Sequence, residues 1–349
     1  MNKIKLAIVF GGMSTEHDVS IVSGTSIINN LNKEKYEIYP IYIGKTGYWY
    51  TYMPTRRVYK VGDSIDNISS LSNPIQYLSQ MDCIFPVLHG LYGEDGSIQG
   101  LFELTKVPYV GCKVLSSSIS MDKVYTKIIF EKAGLDQAKY IYIRENSGKY
   151  IYVDENFNEI ICTLEQVTEI IEEKLEYPMF IKPSNSGSSV GINKVNNTKG
   201  LKEAVIYATK FDKKILIEEG INGREVECAV LGNEEVQASC IGEVLSAEEF
   251  YSFDSKYNNN ESKTQIPANL PTQISEEIKS KAIKAFKAVD GRGLSRVDFF
   301  IEQGTNRIII NEINTLPGFT TISMYPKLFE AIGINYDQLL DKIIELAIK

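Results

Sequence analysis

Residues 179–195 read MFIKPSNSGSSVGINKV, two short apolar segments with a polar, glycine-containing loop between them. Lys182 follows the apolar pair Phe180 and Ile181, and the chain becomes apolar again from Val190. Such a pattern predicts a hairpin of two antiparallel strands. The loop can donate backbone N–H and hydroxyl hydrogen bonds while the lysine supplies positive charge, which favours phosphate binding. A flexible hairpin loop without a ligand is the alternative.

The arrangement of strands and helices differs on the two sides of this hairpin. Before it, apolar strands at Lys5–Phe10, Tyr36–Ile43 and Met81–Leu88 are separated by helical stretches, which indicates a doubly wound parallel sheet. After it, strands follow one another with few helices between them, which favours antiparallel sheets. We therefore predict an α/β unit followed by two α+β units, with domains at residues 1–112, 113–205 and 206–349.

Composition excludes several classes of protein. The chain has 349 residues and a formal net charge of −8, so no basic surface is expected to bind nucleic acid. No apolar run approaches the ~20 residues of a membrane span. Five cysteines without a CxxC motif argue against a disulfide framework or a zinc site. A reducing, cytoplasmic location is the expectation.

Polar residues follow two of the predicted parallel strands. Gly11 and Gly12 end the first strand and are followed by Ser14, Thr15, Glu16 and His17, at the start of a predicted helix. His89 ends the strand IFPVLH. Because ligands bind at the carboxyl ends of parallel strands, this edge is a candidate binding site. A tight strand–helix turn without a ligand is the alternative for the glycines.

Oxygen-bearing side chains recur near the C-terminus. Glu312 and Asn314 are two residues apart on a predicted strand and therefore share a face, and a turn near 303–306 would pair this strand with the one that carries Asp298. Arg296 has the same parity as Asp298. Carboxylates and phosphate oxygens are preferred ligands of Mg²⁺, so we predict a metal site. The alternative is a structural salt bridge.

Seven motifs occur together in one order along the chain: FGGMSTEHDVS, PVLHGLYGEDGSIQG, MDK, FIKPSNSGSSVG, FYSFDSKY, SRVDFF and NEINTLPGFT. In this set the chain resembles the D-alanine–D-alanine ligases of the ATP-grasp superfamily, over essentially its whole length. The resemblance implies a three-domain ATP-grasp fold that holds ATP between the central and C-terminal domains. It also implies an ATP-dependent reaction: one D-alanine is converted to an acyl phosphate, which the amine of a second D-alanine attacks.

The resemblance further implies a role for each of several residues. Those that orient the substrate, close the lid, clamp the oxyanion or hold the second carboxylate are Glu16, Ser188, Tyr257, Arg296, Gly318 and Ser323. Two more, His89 and Met324, are expected next to the substrates. Residues expected to bind ATP are Lys123, Lys182, Glu218, Glu219, Ile221, Glu225 and Lys256. The implied ligands of two Mg²⁺ or Mn²⁺ ions are Asp298, Glu312 and Asn314.

Two of these positions bear on the identity of the second substrate. Tyr257 is present in the lid motif, and Met324 offers an apolar surface suited to a methyl group, so the pattern favours D-alanine. The alternative is a D-alanine–D-serine ligase of the vancomycin-resistance type. Another ATP-grasp ligase and a non-catalytic nucleotide-binding module are further alternatives.

The resemblance also implies a homodimer and a role in peptidoglycan precursor synthesis. Compared with shorter members of the family, residues from about 144 to 162 are an insertion, which is expected to form an extra hairpin.

Overall fold

The computed structural model describes residues 3–55, 57, 59–245, 263–320 and 323–349. Its strands form three sheets that follow one another along the chain. Within the described ranges, no helix combines the length and the apolar character that a bilayer crossing requires.

The first sheet is built around buried parallel strands. Its elements are β1 (Ile4–Gly11), α1 (His17–Asn30), β2 (Tyr36–Ile43), β3 (Trp49–Tyr52), β4 (Ile68–Ser70), α2 (Pro74–Leu78), β5 (Cys83–Leu88) and α3 (Ser97–Thr105). The strand order is β4-β3-β2-β1-β5, and β1 pairs parallel with β2 and β5. The predicted parallel strands are confirmed, while β3 and β4 extend the sheet with antiparallel pairs. Glu16 precedes α1 and His89 follows β5, so both lie at the carboxyl edge of the parallel strands.

Two helices connect the first sheet to the second. They are α4 (Val114–Met121) and α5 (Lys123–Lys132). Asp122 separates them in an extended conformation, and its carboxylate accepts hydrogen bonds from the backbone N–H groups of Val124 and Tyr125. An aspartate in this position satisfies the unpaired N–H groups at a helix start, so it begins a new helix. Lys123 is consequently the first residue of α5.

The second sheet is antiparallel throughout. Its elements are β6 (Tyr140–Asn146), β7 (Lys149–Val153), β8 (Glu159–Cys162), α6 (Leu164–Lys174), β9 (Met179–Pro183), β10 (Asn193–Val195), α7 (Thr198–Ala208) and β11 (Lys214–Glu219), in the strand order β10-β9-β11-β6-β7-β8. The predicted hairpin is confirmed, with Ile181 opposite Asn193. The insertion forms β7 and β8 at the sheet edge, as predicted.

The second sheet continues past residue 205, where the central domain is predicted to end. Residue 205 itself lies inside α7. However, β11 pairs between β9 and β6, and so belongs to the second sheet. The sheet therefore extends to Glu219. Its position could not be read from local sequence because both of its partners are distant in the chain.

The third sheet carries the acidic residues. Its elements are β12 (Gly223–Gly232), β13 (Val236–Leu245), β14 (Lys263–Gln265), α8 (Thr272–Ala288), β15 (Gly293–Glu302), β16 (Ile308–Asn314), α9 (Met324–Glu330) and α10 (Tyr336–Ile348), in the order β14-β13-β12-β15-β16. All of its described pairs are antiparallel. One apolar core lies under α8, and another joins α9 and α10 to the first sheet.

Candidate active site

A cavity of about 970 Å³ is bordered by all three sheets, a volume at the upper end of the usual range for ligand sites. The sequence-predicted residues that line it are Glu16, His89, Lys123, Lys182, Ser188, Glu218, Glu219, Ile221, Glu225, Arg296, Glu312, Asn314, Gly318, Ser323 and Met324. Asp298 lies just beneath the lining, 3 % exposed. Lys256 and Tyr257 lie outside the described residues.

Three loops meet at the carboxylate of Glu16, which is buried. A Cβ atom added to Gly90 would lie 2.7 Å from Oε2 of Glu16, and one added to Gly187 would lie 3.3 Å from the same atom. Gly90 also has a φ of +71°, a conformation that strongly favours glycine. Glycine at both positions therefore lets the loops after β5 and β9 approach Glu16 closely.

The Gly/Ser loop presents Ser188 to this cluster. Ser188 and Ser189 have φ values of 51° and 59°, which are uncommon for residues other than glycine. The hydroxyl of Ser188 is buried, and it has no hydrogen-bond partner among the residues that the structure describes. Buried hydroxyl groups are normally paired, so this one is suited to receive a ligand or another side chain.

His89 joins the first sheet to the loop after β16. Its Nδ1 lies 3.2 Å from the carbonyl oxygen of Leu316, and its Nε2 lies 3.3 Å from the hydroxyl of Ser23. Because the carbonyl can only accept, we assign the proton to Nδ1, and Nε2 then accepts from Ser23. Burial lowers the pKa of His89, which keeps the ring neutral. Both ring nitrogens are thus engaged within the protein.

Glu94 belongs to the site although the sequence analysis did not select it. Its carboxylate accepts a hydrogen bond of 2.8 Å from the backbone N–H of Gly90. Burial, with a smaller contribution from Glu16, raises the pKa of Glu94 to about 8. The glycine- and acid-rich segment GLYGEDGS was the signal available in the sequence.

Positive charge collects where α5 faces β9 and β11. Lys182 forms an ion pair with Oε1 of Glu218, and Lys127 lies 3.0 Å from Oε2 of the same carboxylate. Burial alone would raise the pKa of Glu218, but the charges of Lys127 and Lys182 outweigh it and lower the pKa to about 2. Nζ of Lys123 donates a 2.5 Å hydrogen bond to the carbonyl oxygen of Ser186, in the Gly/Ser loop.

Lys127 is a second residue that sequence reasoning missed. It lies one helical turn after Lys123 on α5, and this four-residue spacing places both lysines on one face of the helix. The spacing was visible in the sequence. Its significance depends on the break at Asp122, which sets the position at which α5 begins.

A further segment of the lining runs from β11 to β12. Glu219 exchanges hydrogen bonds with the backbone of Lys139: its N–H donates to the carbonyl oxygen at 3.0 Å, and its Oε1 accepts from the N–H at 2.9 Å. Ile221 and Glu225 continue the lining after this turn.

The acidic residues occupy facing positions on three neighbouring strands. Asp298 on β15 is opposite Glu227 on β12 and opposite Glu312 on β16. Arg296 donates two hydrogen bonds of 2.7 Å to the carboxylate of Asp298, and its Nε lies 3.0 Å from Oε2 of Glu227. Asn314 donates a 3.1 Å hydrogen bond to Asp298.

Arg296 is held at this place by charge. Burial disfavours its charged form, but Asp298 and Glu227 outweigh that effect and raise the pKa of Arg296 well above its usual value. Glu227 is not among the residues predicted from the sequence. Its alternation with Glu225 along β12 was visible, but its pairing with Asp298 depends on strand order.

The loop after β16 brings Gly318 close to Ser323. A Cβ atom added to Gly318 would lie 2.9 Å from the hydroxyl oxygen of Ser323, which accepts a 2.9 Å hydrogen bond from the N–H of Thr320. Met324 begins α9 and is 7 % exposed. Its sulfur lies 2.8 Å from a Cβ atom added to Gly242, so this side chain packs into the core and borders the cavity as well.

The donor set fits a magnesium or manganese ion that also binds phosphate. Within the described ranges, no three His, Cys, Asp or Glu side chains gather closely enough to hold a metal ion by themselves. Asp298, Glu312 and Asn314 instead offer two carboxylates and one amide oxygen next to a cavity. Mg²⁺ is usually bound by one or two carboxylates together with substrate phosphates, so this incomplete set is suited to it.

Comparisons with known proteins agree with this geometry. The family model described as "D-ala D-ala ligase N-terminus" matches residues 5–112, and the model described as "D-ala D-ala ligase C-terminus" matches residues 129–345. The D-alanine–D-alanine ligase of Acetivibrio thermocellus is 48 % identical, over 100 % of this chain and 96 % of the relative. The D-alanine–D-alanine ligase B of Clostridium tetani is 50 % identical, over 100 % and 94 %.

Solved structures give the same result. The VanG D-Ala:D-Ser ligase from Enterococcus faecalis has a TM-score of 0.85 at 36 % identity, covering 99 % of this chain and 100 % of the other. The D-alanine–D-alanine ligase from Coxiella burnetii has a TM-score of 0.81 at 33 % identity, covering 100 % and 94 %. With its three sheets in the ATP-grasp arrangement and both family models matched in order, the chain belongs to the D-alanine–D-alanine ligase family.

Proposed function

We propose that this cavity performs the ATP-dependent ligation of two D-alanine molecules that characterises the family. The observation that carries the proposal is that one cavity brings together lysines from α5 and β9 with an arginine on the third sheet that is held by carboxylates. A nucleotide triphosphate needs cations for its phosphates, and an acyl transfer needs a fixed charge near the developing oxyanion.

The lysine side of the cavity is suited to ATP. Lys123 and Lys182 would contact phosphates, and the segment of Glu218, Glu219 and Ile221 would contact the base, with Glu225 at the ribose. Lys256 is proposed at the γ-phosphate on the strength of its motif alone. Burial lowers the pKa of Lys123, and the charge of Glu312 opposes that shift, which supports a position of Lys123 between nucleotide and metal.

The carboxylate side is suited to divalent cations. Asp298, Glu312 and Asn314 would hold two Mg²⁺ or Mn²⁺ ions, which supply charge neutralisation at the phosphates when bound. Arg296 and the N–H of Gly318 would stabilise the oxyanion of the tetrahedral intermediate. Arg296 is restrained on two sides by Asp298 and Glu227, so its guanidinium is oriented before substrate arrives.

The edge of the first sheet is suited to the amino-acid substrates. Glu16 would bind the ammonium group of the first D-alanine and, with Ser188 and Tyr257, would orient it. The carboxylate of this first D-alanine would attack the γ-phosphate of ATP, giving an acyl phosphate and ADP. The amine of the second D-alanine, whose carboxylate would lie at Ser323, then attacks the acyl carbon and phosphate leaves. His89 is proposed to hold the loop of Gly318 near the first substrate.

D-Alanine is proposed as the second substrate as well. The buried thioether of Met324 borders the cavity and favours a methyl group over a hydroxyl. The alternative is D-serine, and a structural relative at 36 % identity is titled a D-Ala:D-Ser ligase. The curated relatives, at 48 % and 50 % identity, are D-alanine–D-alanine ligases.

Three further features are proposals. The sheets support three domains, with the first ending near residue 112 and the second extended to Glu219. A cytoplasmic location suits a chain whose five cysteines are free in the structure. A homodimer is the expected assembly of this family.

One assay tests the proposal. Purified protein is supplied with ATP, Mg²⁺ and either D-alanine, L-alanine, or D-alanine with D-serine, and both phosphate release and product mass are measured. We expect phosphate release with D-alanine, the mass of the D-alanyl dipeptide and little reaction with L-alanine. No phosphate release, or equal use of L-alanine, would refute the proposal, and a dominant mixed product would favour the D-serine alternative.

A further inference from the structure

Lys127 is a buried lysine beside Glu218, on the side of the cavity proposed to bind the nucleobase. It has no role in the function proposed above. Its side chain is 5 % exposed and that of Glu218 is 7 % exposed. Nζ of Lys127 lies 3.0 Å from Oε2 of Glu218, while Lys182 is paired with Oε1. One carboxylate therefore has a separate lysine at each oxygen.

Each ammonium has an aromatic ring nearby, with the centre of the Phe180 ring 5.8 Å from the ammonium of Lys182, and the two lysines differ in burial and in their place in the fold. The ammonium of Lys127 lies 5.2 Å from the centre of the Tyr140 ring, and Tyr140 is opposite Glu218 across β6 and β11. The carbonyl oxygen of Lys127 accepts a 2.9 Å hydrogen bond from Gln137. Lys182 is more exposed, at 13 % of its side chain, and it lies on β9, the strand that leads into the Gly/Ser loop.

This difference matters when a nucleotide binds. Lys182 is expected to contact phosphate, so its charge would then be shared between a polyanion and Glu218. A buried carboxylate that loses its counter-ion is strongly disfavoured and tends to take up a proton. Lys127, with its ammonium over an aromatic ring and against Oε2, is placed to keep Glu218 ionised.

The protonation state of Glu218 decides what the carboxylate can recognise. An ionised carboxylate only accepts hydrogen bonds, whereas a protonated one can also donate. An accepting group favours a base that presents an amino group, such as adenine, over one that presents a carbonyl oxygen at the same position, such as guanine.

We propose that Lys127 is a positioning residue that keeps Glu218 charged and oriented when Lys182 engages phosphate, and thereby sets both the affinity for ATP and the preference for ATP over GTP. The proposal rests on the function proposed above in one respect, namely that Glu218 contacts the base.

The experiment measures nucleotide binding directly, without amino-acid substrate. Dissociation constants for ATP and GTP are determined by calorimetry for the wild type, Lys127→Met, Lys127→Gln and Lys127→Arg. Both neutral variants are expected to bind ATP at least about tenfold more weakly, the size expected for a hydrogen bond to a charged group, with a smaller change for GTP. Lys127→Arg, which keeps the charge, is expected to stay within about threefold of the wild type. The kcat at saturating ATP should change by less than about threefold in all variants, because Lys127 acts on binding.

Two controls separate this role from a loss of structure. Lys281→Met removes another largely buried lysine, which pairs with Asp136 and Glu277 and does not line the cavity, and it should leave ATP affinity unchanged. In a Glu218→Gln background, Lys127→Met should change ATP affinity by less than about threefold, because the charge that it balances is gone. Thermal melting confirms that each variant is folded, and Lys127→Gln replaces Lys127→Met if the latter is not.

Unchanged ATP affinity in the neutral variants would overturn the proposal. Equal losses for ATP and GTP, or a full tenfold effect in the Glu218→Gln background, would do so too. Failure of the proposed function would be seen differently, as a wild type that binds ATP yet does not ligate D-alanine.

Discussion

Two charge clusters face the cavity with opposite sign. On the second sheet, Glu218 is held between Lys127 and Lys182. On the third sheet, Arg296 is held between Asp298 and Glu227. In each cluster a central charge is flanked by two of the opposite sign, and in each the flanking groups outweigh the cost of burial.

The difference lies in the charge that is left over. Two lysines against one glutamate leave a positive charge, to which Lys123 adds, and this side of the cavity suits phosphates. Two carboxylates against one arginine leave a negative charge, to which Glu312 adds, and this side suits divalent cations. Buried charges are thus compensated locally, while the surplus on each side is matched to a different part of a metal nucleotide.

The largest effect is expected from removing the centre of the third-sheet cluster. Arg296→Ala should lower kcat by about 10²–10³-fold, the usual effect of losing an oxyanion donor, while ATP affinity stays within about threefold. Steady-state kinetics and ATP calorimetry measure the two quantities. Arg307→Ala, which removes an arginine from the exposed β15–β16 turn, is the control and should be nearly silent. A large loss of ATP affinity in a stable Arg296→Ala protein would contradict the assigned role.

A smaller effect is expected from removing one flanking charge. Glu227→Gln should lower kcat by about three- to tenfold, because Arg296 keeps its two hydrogen bonds to Asp298 but loses one of its restraints. The KM for ATP should not change, since Glu227 restrains Arg296, whose proposed role is in the acyl transfer. Glu302→Gln, at the end of β15 and outside the cavity lining, is the matched control because Glu302 also pairs with an arginine, Arg307. An unchanged kcat would show that Asp298 alone positions the arginine.

Glu94 differs from Glu218 because burial, which raises the pKa of its carboxyl group, outweighs the effect of nearby positive charge. The pKa of Glu94 is raised to about 8 from an ordinary value of 4.5, so between these limits the folded protein holds a proton that the unfolded chain releases. Stability of the ligand-free protein should therefore fall as pH rises from about 5 to about 8, by up to about 1.4 kcal/mol per unit.

Glu94→Gln removes this dependence. The free energy of unfolding of the variant, relative to the wild type, should increase steadily with pH over the same interval. Urea unfolding at several pH values measures it, with the exposed Glu203→Gln as control. Parallel stability curves for wild type and Glu94→Gln would contradict the raised pKa.

The smallest effect is expected for an ion pair of the same chemistry on the surface. Lys279 and Glu276 lie 2.8 Å apart on one face of α8, with the glutamate side chain 63 % exposed. Lys279→Met should change the free energy of unfolding by no more than about 0.5 kcal/mol. Chemical denaturation measures the change, and a loss above about 1 kcal/mol would show that burial is not what distinguishes the cavity clusters.

Much of the fold and of the site could be predicted because it depends on local spacing. Strand alternation placed Glu312 and Asn314 on one face, and the antiparallel pairing of β15 with β16 brought Asp298 opposite Glu312, as predicted. The hairpin of β9 and β10 also follows from contiguous residues. The candidate site residues within the described ranges line one cavity, except Asp298, which is hydrogen-bonded to Arg296; their individual roles stay predictions.

Other features depended on contacts between distant segments. The break at Asp122, the insertion of β11 between β9 and β6, and the pairing of Glu227 with Asp298 are each fixed by partners that a local pattern does not identify. The sequence by itself determined which chemical groups are present, because seven motifs in order specify a family and its reaction. Only the tertiary structure decided which buried charge balances which, since a charge is stabilised by its neighbours in space, and Lys127, Glu94 and Glu227 acquire their partners only when the three sheets meet.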